Sequence, residues 1–103
     1  MHPEAETEYS ALDAREAVAV DNAIAKLANA GPQLPYPHSS AVRGARRLRE
    51  LRPRGGRSVT RALYRQIGNV LVIGAFAPEV ESDVKGFRKA CGLAERRLDE
   101  VEE

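Results

Sequence analysis

Residues 43–65, RGARRLRELRPRGGRSVTRALYR, hold nine arginines and a single acid, Glu50. The nine are Arg43, Arg46, Arg47, Arg49, Arg52, Arg54, Arg57, Arg61 and Arg65, and no lysine stands among them. A guanidinium is a planar fork that donates two parallel bonds to a phosphate or a carboxylate. Like charges packed this densely repel one another unless something neutralises them. Two neutralisers fit: the phosphates of a nucleic acid, or an acidic protein partner that covers the same surface. Guanidinium stabilises developing negative charge well, but its pKa, above about 12, makes it a poor proton carrier. Proton transfer therefore falls to Glu50, inside the run, or to His38, just before it, since imidazole titrates near neutrality. Tyr36 and Tyr64 offer aromatic faces on which an unpaired base stacks. Only one other histidine, His2, is present. The two are far apart and no paired acidic motif accompanies them, so neither a metal nor a cofactor is expected.

Outside the run the charge reverses. Residues 1–42 carry two bases against six acids, residues 66–103 five against eight, and the whole chain is formally +1. An acid–base–acid layout bears on partners, not on fold. The 103 residues suffice for a single domain, 1–103, with a small aliphatic core, because Trp is absent and aromatics are 5%. Cys91 is the only cysteine, which excludes an internal disulfide and fits a reducing compartment. MHPEAETEY lacks the apolar run of a signal peptide. The longest apolar stretch, VLVIGAFA at 70–77, is too short to cross a bilayer. A soluble, cytoplasmic protein with no membrane partner is expected.

Elements must hold these groups in place. Ala17, Val20, Ile24 and Leu27 form an apolar stripe, which predicts one helix over 5–30, ended by Gly31-Pro32. Residues 32–45, with three prolines, read as a loop carrying Tyr36 and His38. A weak or edge strand is expected over 46–52. The strongest signal is a hairpin of 58–67 and 70–76 around Gly68-Asn69, suited to a type II′ turn. Its alternation sets Val59, Arg61, Leu63, Arg65 and Ile67 on one face and Ser58, Thr60, Ala62, Tyr64 and Gln66 on the other. VLVIGAF is apolar on both faces, as in a strand covered on both sides. Phe87, Cys91, Ala94, Leu98 and Val101 predict a helix over 82–101, with Cys91 as a core thiol. Residues 1–4 and 100–103 are expected to be mobile. The sum is a small α+β domain: an antiparallel sheet with an N-terminal and a C-terminal helix packed on it.

LPYP (34–37), Gly44, LRELR (48–52), TRALY (60–64), LVIGAF (71–76) and Ala90, fourteen residues after Phe76, stand in an order that resembles a known family. Residues 34 to about 98 resemble the RelE/HigB-like toxins of bacterial type II toxin–antitoxin modules, most closely the phage-derived Gp49-like branch. The resemblance implies a RelE-like fold, a cognate antitoxin partner and metal-independent cleavage of messenger RNA on the ribosome, the RNA's own 2′-hydroxyl attacking the next phosphate. It places Arg61 on the scissile phosphate, with Arg65 on the same face two pleats along. Glu50 and His38 remain for protons, and Arg43, Arg46, Arg47, Arg49, Arg52, Arg54, Arg57 and Tyr64 for holding RNA. Two positions depart from the pattern. The family's lysine pair is Pro78-Glu79 here, and Gly74-Ala75 replaces the histidine that often precedes the phenylalanine. The alternative implied by the superfamily is a toxin that acts by binding alone, as the ParE branch does on DNA gyrase. A nucleic-acid-binding module of unrelated ancestry is the third class.

Overall fold

The computed structural model describes residues 1–103. The segment expected as one helix over 5–30 folds as two: α1 spans Pro3–Ser10 and α2, which carries the whole apolar stripe, spans Ala14–Ala30. The break has a local cause. Asp13 caps α2, its side chain accepting a hydrogen bond from the Glu16 backbone N–H at 2.9 Å. Asp13 and Glu16 have the spacing of a capping box, which starts a helix and does not continue one. At the far end Gly31, with φ +59°, stops α2.

Four strands follow: β1 (Ser39–Ala41), β2 (Arg49–Leu51), β3 (Thr60–Ile67) and β4 (Val70–Pro78). They form an antiparallel meander in the order β1-β2-β3-β4. α3 (Val84–Glu102) ends the fold. This is the expected α+β class with helices at both ends. The hairpin turns on Gly68, at φ +61°, while Asn69 has negative φ, the sign pattern of a type II′ turn. β2 is shorter than the expected 46–52 because Arg47 sits at φ +56°, a left-handed conformation no strand residue adopts. β1 lies inside the segment expected to be loop.

The sheet is covered on both faces. Ala62 and Tyr64 of β3 join Val20, Leu27, Leu51, Ile73 and Phe76 in a core under α1 and α2. Leu63 points the other way, to Leu48, Ala75, Phe87, Ala94 and Leu98 under α3. Two-sided burial accounts for the unbroken apolar run of β4. Pairing passes from Leu63↔Ala75 to Tyr64↔Ile73, which leaves Gly74 as an extra residue, a β-bulge. A Cβ there would stand 2.7 Å from Leu98 Cγ and 3.2 Å from the Ala94 carbonyl. α3 crosses the sheet over this glycine, so the histidine of the resembling family has no room at position 74.

The bulge also anchors the N-terminus. Arg97 of α3 donates to the Gly74 carbonyl at 3.0 Å. Its guanidinium lies 2.9 Å from the Glu4 carboxylate and 3.0 Å from that of Glu8. Glu8 accepts in turn from the Phe76 N–H at 2.9 Å. α1 thereby covers the edge of β4, which would otherwise offer open pairing groups. Both ends expected to be mobile take part in bonds: the His2 N–H donates to Ile73 O at 2.8 Å, and Glu102 accepts from Arg47 and Arg65.

Candidate functional site

The arginine run divides into two populations. Arg61 is 1% exposed. It donates to the carbonyls of Ser58 (2.7 Å), Thr60 (3.2 Å) and Gly56 (3.2 Å), and to the Glu79 carboxylate at 3.3 Å. Its Nε faces Glu50 at 3.8 Å. Four of its five N–H donors are committed in this conformation, and burial keeps the fifth, on Nε beside Glu50, from an outside phosphate. Glu79 stands in the stretch where the resembling family carries its lysine pair. A lysine there would repel Arg61; the glutamate neutralises it.

Arg65 is also buried, donating at 2.7 Å to both Asp99 and Glu102 and at 3.3 Å to the Arg47 carbonyl. Burial alone would lower its pKa; the bonds to Asp99 and Glu102 outweigh that and raise it. At Glu102 the hydrogen bond from Arg47, with a second from Arg65, outweighs burial and holds the carboxyl below its ordinary range. Arg47 is otherwise exposed and donates to the Gln66 carbonyl as well. Tyr64, expected as a stacking platform, is buried on the opposite face, its hydroxyl bonded to Ser39. Arg49 donates to that same Ser39 hydroxyl at 3.0 Å.

Arg43, Arg46, Arg49, Arg54 and Arg57 form no ion pair, whereas carboxylates hold the other four. So the run carries its own neutralisers for almost half its charge, from Glu50 within it and Glu79, Asp99 and Glu102 beyond it. Apart from Glu50, that arrangement was not visible in the sequence, because the acids beyond the run are 18 to 55 positions away along the chain.

Two of the five unpaired arginines, Arg54 and Arg57, come together at one place. After β2 the chain makes a tight turn in which Arg54, Gly55 and Gly56 take φ of +58°, +62° and +96°. Three successive left-handed residues suit glycine at two positions and cost a β-carbon residue of order 1–2 kcal/mol at the third. The turn swings Arg54 and Arg57 beside α2. With Arg52, His38, Asn22 and Lys26 they line a pocket of about 200 Å³ floored by Ala19, Ala23 and Leu51. Four cations and an imidazole face the pocket, and no carboxylate lines it. His38 is pinned through its backbone: its N–H donates to Pro35 O at 2.9 Å, and its carbonyl accepts from the Arg52 N–H at 2.8 Å. Arg57 Nε donates to the Arg54 carbonyl at 3.1 Å.

Glu50 serves this pocket from outside it. Its carboxylate accepts from Arg52 at 2.6 Å. Arg52 Nε donates to Pro37 O at 3.0 Å, and its guanidinium carbon lies 5.2 Å from the centre of the Tyr36 ring. A Cβ on Gly56 would meet Arg52 Nη2 at 2.5 Å and displace that guanidinium, and the φ of +96° itself favours glycine there. Sequence reasoning missed Asn22 and Lys26. They stand four apart on one face of α2, a spacing too common on helices to signal a site.

Arg43 and Arg46 project from the exposed loop between β1 and β2, away from the pocket lining. Arg47, Arg49 and Arg65 border a second recess with Gln66 and Gly68. Cys91 packs against the α3-side core. Burial, with Glu95 and Glu50 adding, pushes its thiol up to about 11. It stays protonated and is no nucleophile at neutral pH.

The sequence profile described as phage-derived protein Gp49-like (DUF891) matches residues 7–77. The chain belongs to that family. Gp49-like proteins are associated with the toxins of toxin–antitoxin modules, and membership implies an antitoxin partner. The match runs from α1 through β4 and so includes every residue of the basic pocket. No curated protein and no solved structure matches the chain. No helix is long and apolar enough to cross a membrane.

Proposed function

We propose that this Gp49-like chain is the toxin of a type II pair and cuts messenger RNA on the ribosome until its antitoxin covers the basic surface. The observation that carries this is His38 among Lys26, Arg52, Arg54 and Arg57. Cleavage by an RNA's own 2′-hydroxyl needs a group that exchanges protons near neutral pH and cations for the phosphorane. His38 accepts the 2′-hydroxyl proton as that oxygen bonds to phosphorus, a water gives the departing 5′-oxygen a proton as its bond to phosphorus breaks, and the imidazolium passes its own proton to the hydroxide left behind. Arg54, Arg57 and Lys26 take the growing negative charge. Glu50 is committed to Arg52, so it orients that guanidinium and leaves proton transfer to the imidazole. Arg61 holds Gly56 and faces Glu50, and so positions the turn and Arg52 from behind. Arg43, Arg46 and Arg49 hold flanking phosphates.

The internal bonding of Arg61 and Arg65 favours a second possibility: a toxin that arrests its target by binding alone. Inducible expression separates the two. Growth should stop when the chain is expressed alone and resume with the neighbouring reading frame co-expressed. Arrest with intact transcripts would move the protein to the binding-only class, and no arrest would remove it from the toxins.

A further inference from the structure

We propose that Tyr36 is the seat for one unpaired nucleobase of the bound RNA, an inference that rests on the RNA-cutting function above and adds its substrate contact. Tyr36 is the most exposed large apolar side chain of the protein, at 70%. Its ring is nevertheless held. The Arg52 guanidinium covers one face at 5.2 Å and is itself fixed by Glu50 at 2.6 Å and Pro37 O at 3.0 Å. An aromatic ring braced by a cation on one side and open on the other matches the platforms of single-strand binders. Arg52 belongs to both features, lining the phosphate pocket and backing the ring. A nucleotide seated here stacks its base on Tyr36 while its phosphate meets Arg54, Arg57 and Lys26, with His38 beside it. Tyr64 cannot compete, being buried. Because every base has a π-face, the seat tolerates sequence, but it excludes paired bases, whose faces are already stacked.

The probe is a fluorescein-labelled RNA octamer with 2′-O-methyl groups, which the 2′-hydroxyl chemistry cannot cut. Tyr36→Phe should bind it as the parent does. Tyr36→Ala and Tyr36→Leu should both weaken binding by roughly five- to a hundred-fold, the range for one lost base stack, with the salt dependence unchanged. A duplex of the same length should compete poorly. Parent-like affinity in Tyr36→Leu, or equal competition by the duplex, overturns the seat. Circular dichroism checks folding. Transcript cleavage is read separately. A parent that binds in a Tyr36-dependent way yet leaves transcripts whole keeps the seat and removes the nuclease. A parent that cuts, with Tyr36→Leu binding and cutting equally well, keeps the nuclease and removes the seat.

Discussion

Taking away the Arg61 side chain would leave Glu79 and Glu50 facing a void inside the protein. Breaking a buried pair from one side costs about 3–5 kcal/mol, against a total stability of about 5–15 kcal/mol for a domain. Arg61→Ala is therefore expected to lower the urea midpoint sharply or to unfold the chain, and its loss of toxicity would report on folding. A parent-like unfolding curve would contradict the burial. His38 makes the cleaner probe of chemistry. His38→Gln keeps a polar side chain of similar length but cannot exchange a proton. It should lose ~10²–10⁴ in cleavage rate while binding RNA as the parent does. At this scale the sequence was half legible. It showed where guanidinium concentrates and offered Glu50 and His38 as candidates for proton transfer, without showing that Glu50 is bonded to Arg52. It could not show that Arg61 and Arg65 face inward, because alternation along β3 says which residues share a face and not which carboxylates wait there.

α3 is tied to the sheet at its far end by Arg47, Arg65 and Glu102, and this tie should fail in acid. The carboxyl of Glu102 titrates below its ordinary range in the folded state. Its contribution is thus complete above the unfolded value of about 4.3 and disappears as pH falls through the lower, folded value. Thermal melts from pH 7 downward should show a loss of Tm below about pH 4 that is smaller in Glu102→Gln. An identical acid profile in the two proteins would sink the idea. The hairpin was legible because its turn chemistry is local: Gly68-Asn69 selects the turn without help from the rest of the fold. The α1–α2 break was written in Asp13 and Glu16, but the stripe from Ala17 to Leu27 that predicted the helix lies wholly in α2 and set no bound upstream. β1 was not legible at all, since three residues beside prolines become a strand only when β2 pairs with them. Gly74 read as a departure from a family pattern; its reason, α3 lying against it, is tertiary.

Over the whole molecule, a net charge of +1 conceals a surface on which five arginines of the run stay unpaired. Each single-strand phosphate contact contributes about −0.7 to the slope of log affinity against log salt. With Lys26 the five unpaired arginines make up to six contacts, which predict a slope of about −4 for uncut RNA, and adding the four paired arginines would give about −7. A slope at the larger value would mean that the internal ion pairs open on binding, and a flat one would rule out the basic surface.

The central claim is that this basic pocket with its histidine cuts messenger RNA during translation. The direct measurement is a transcriptome-wide map of RNA 5′ ends after induction, in the parent and in His38→Gln. New 5′ ends should appear in the parent within translated regions and in phase with codons, and they should vanish in His38→Gln while that protein accumulates folded. Growth arrest by the parent with no new 5′ ends, or the same phased ends in His38→Gln, would contradict the account.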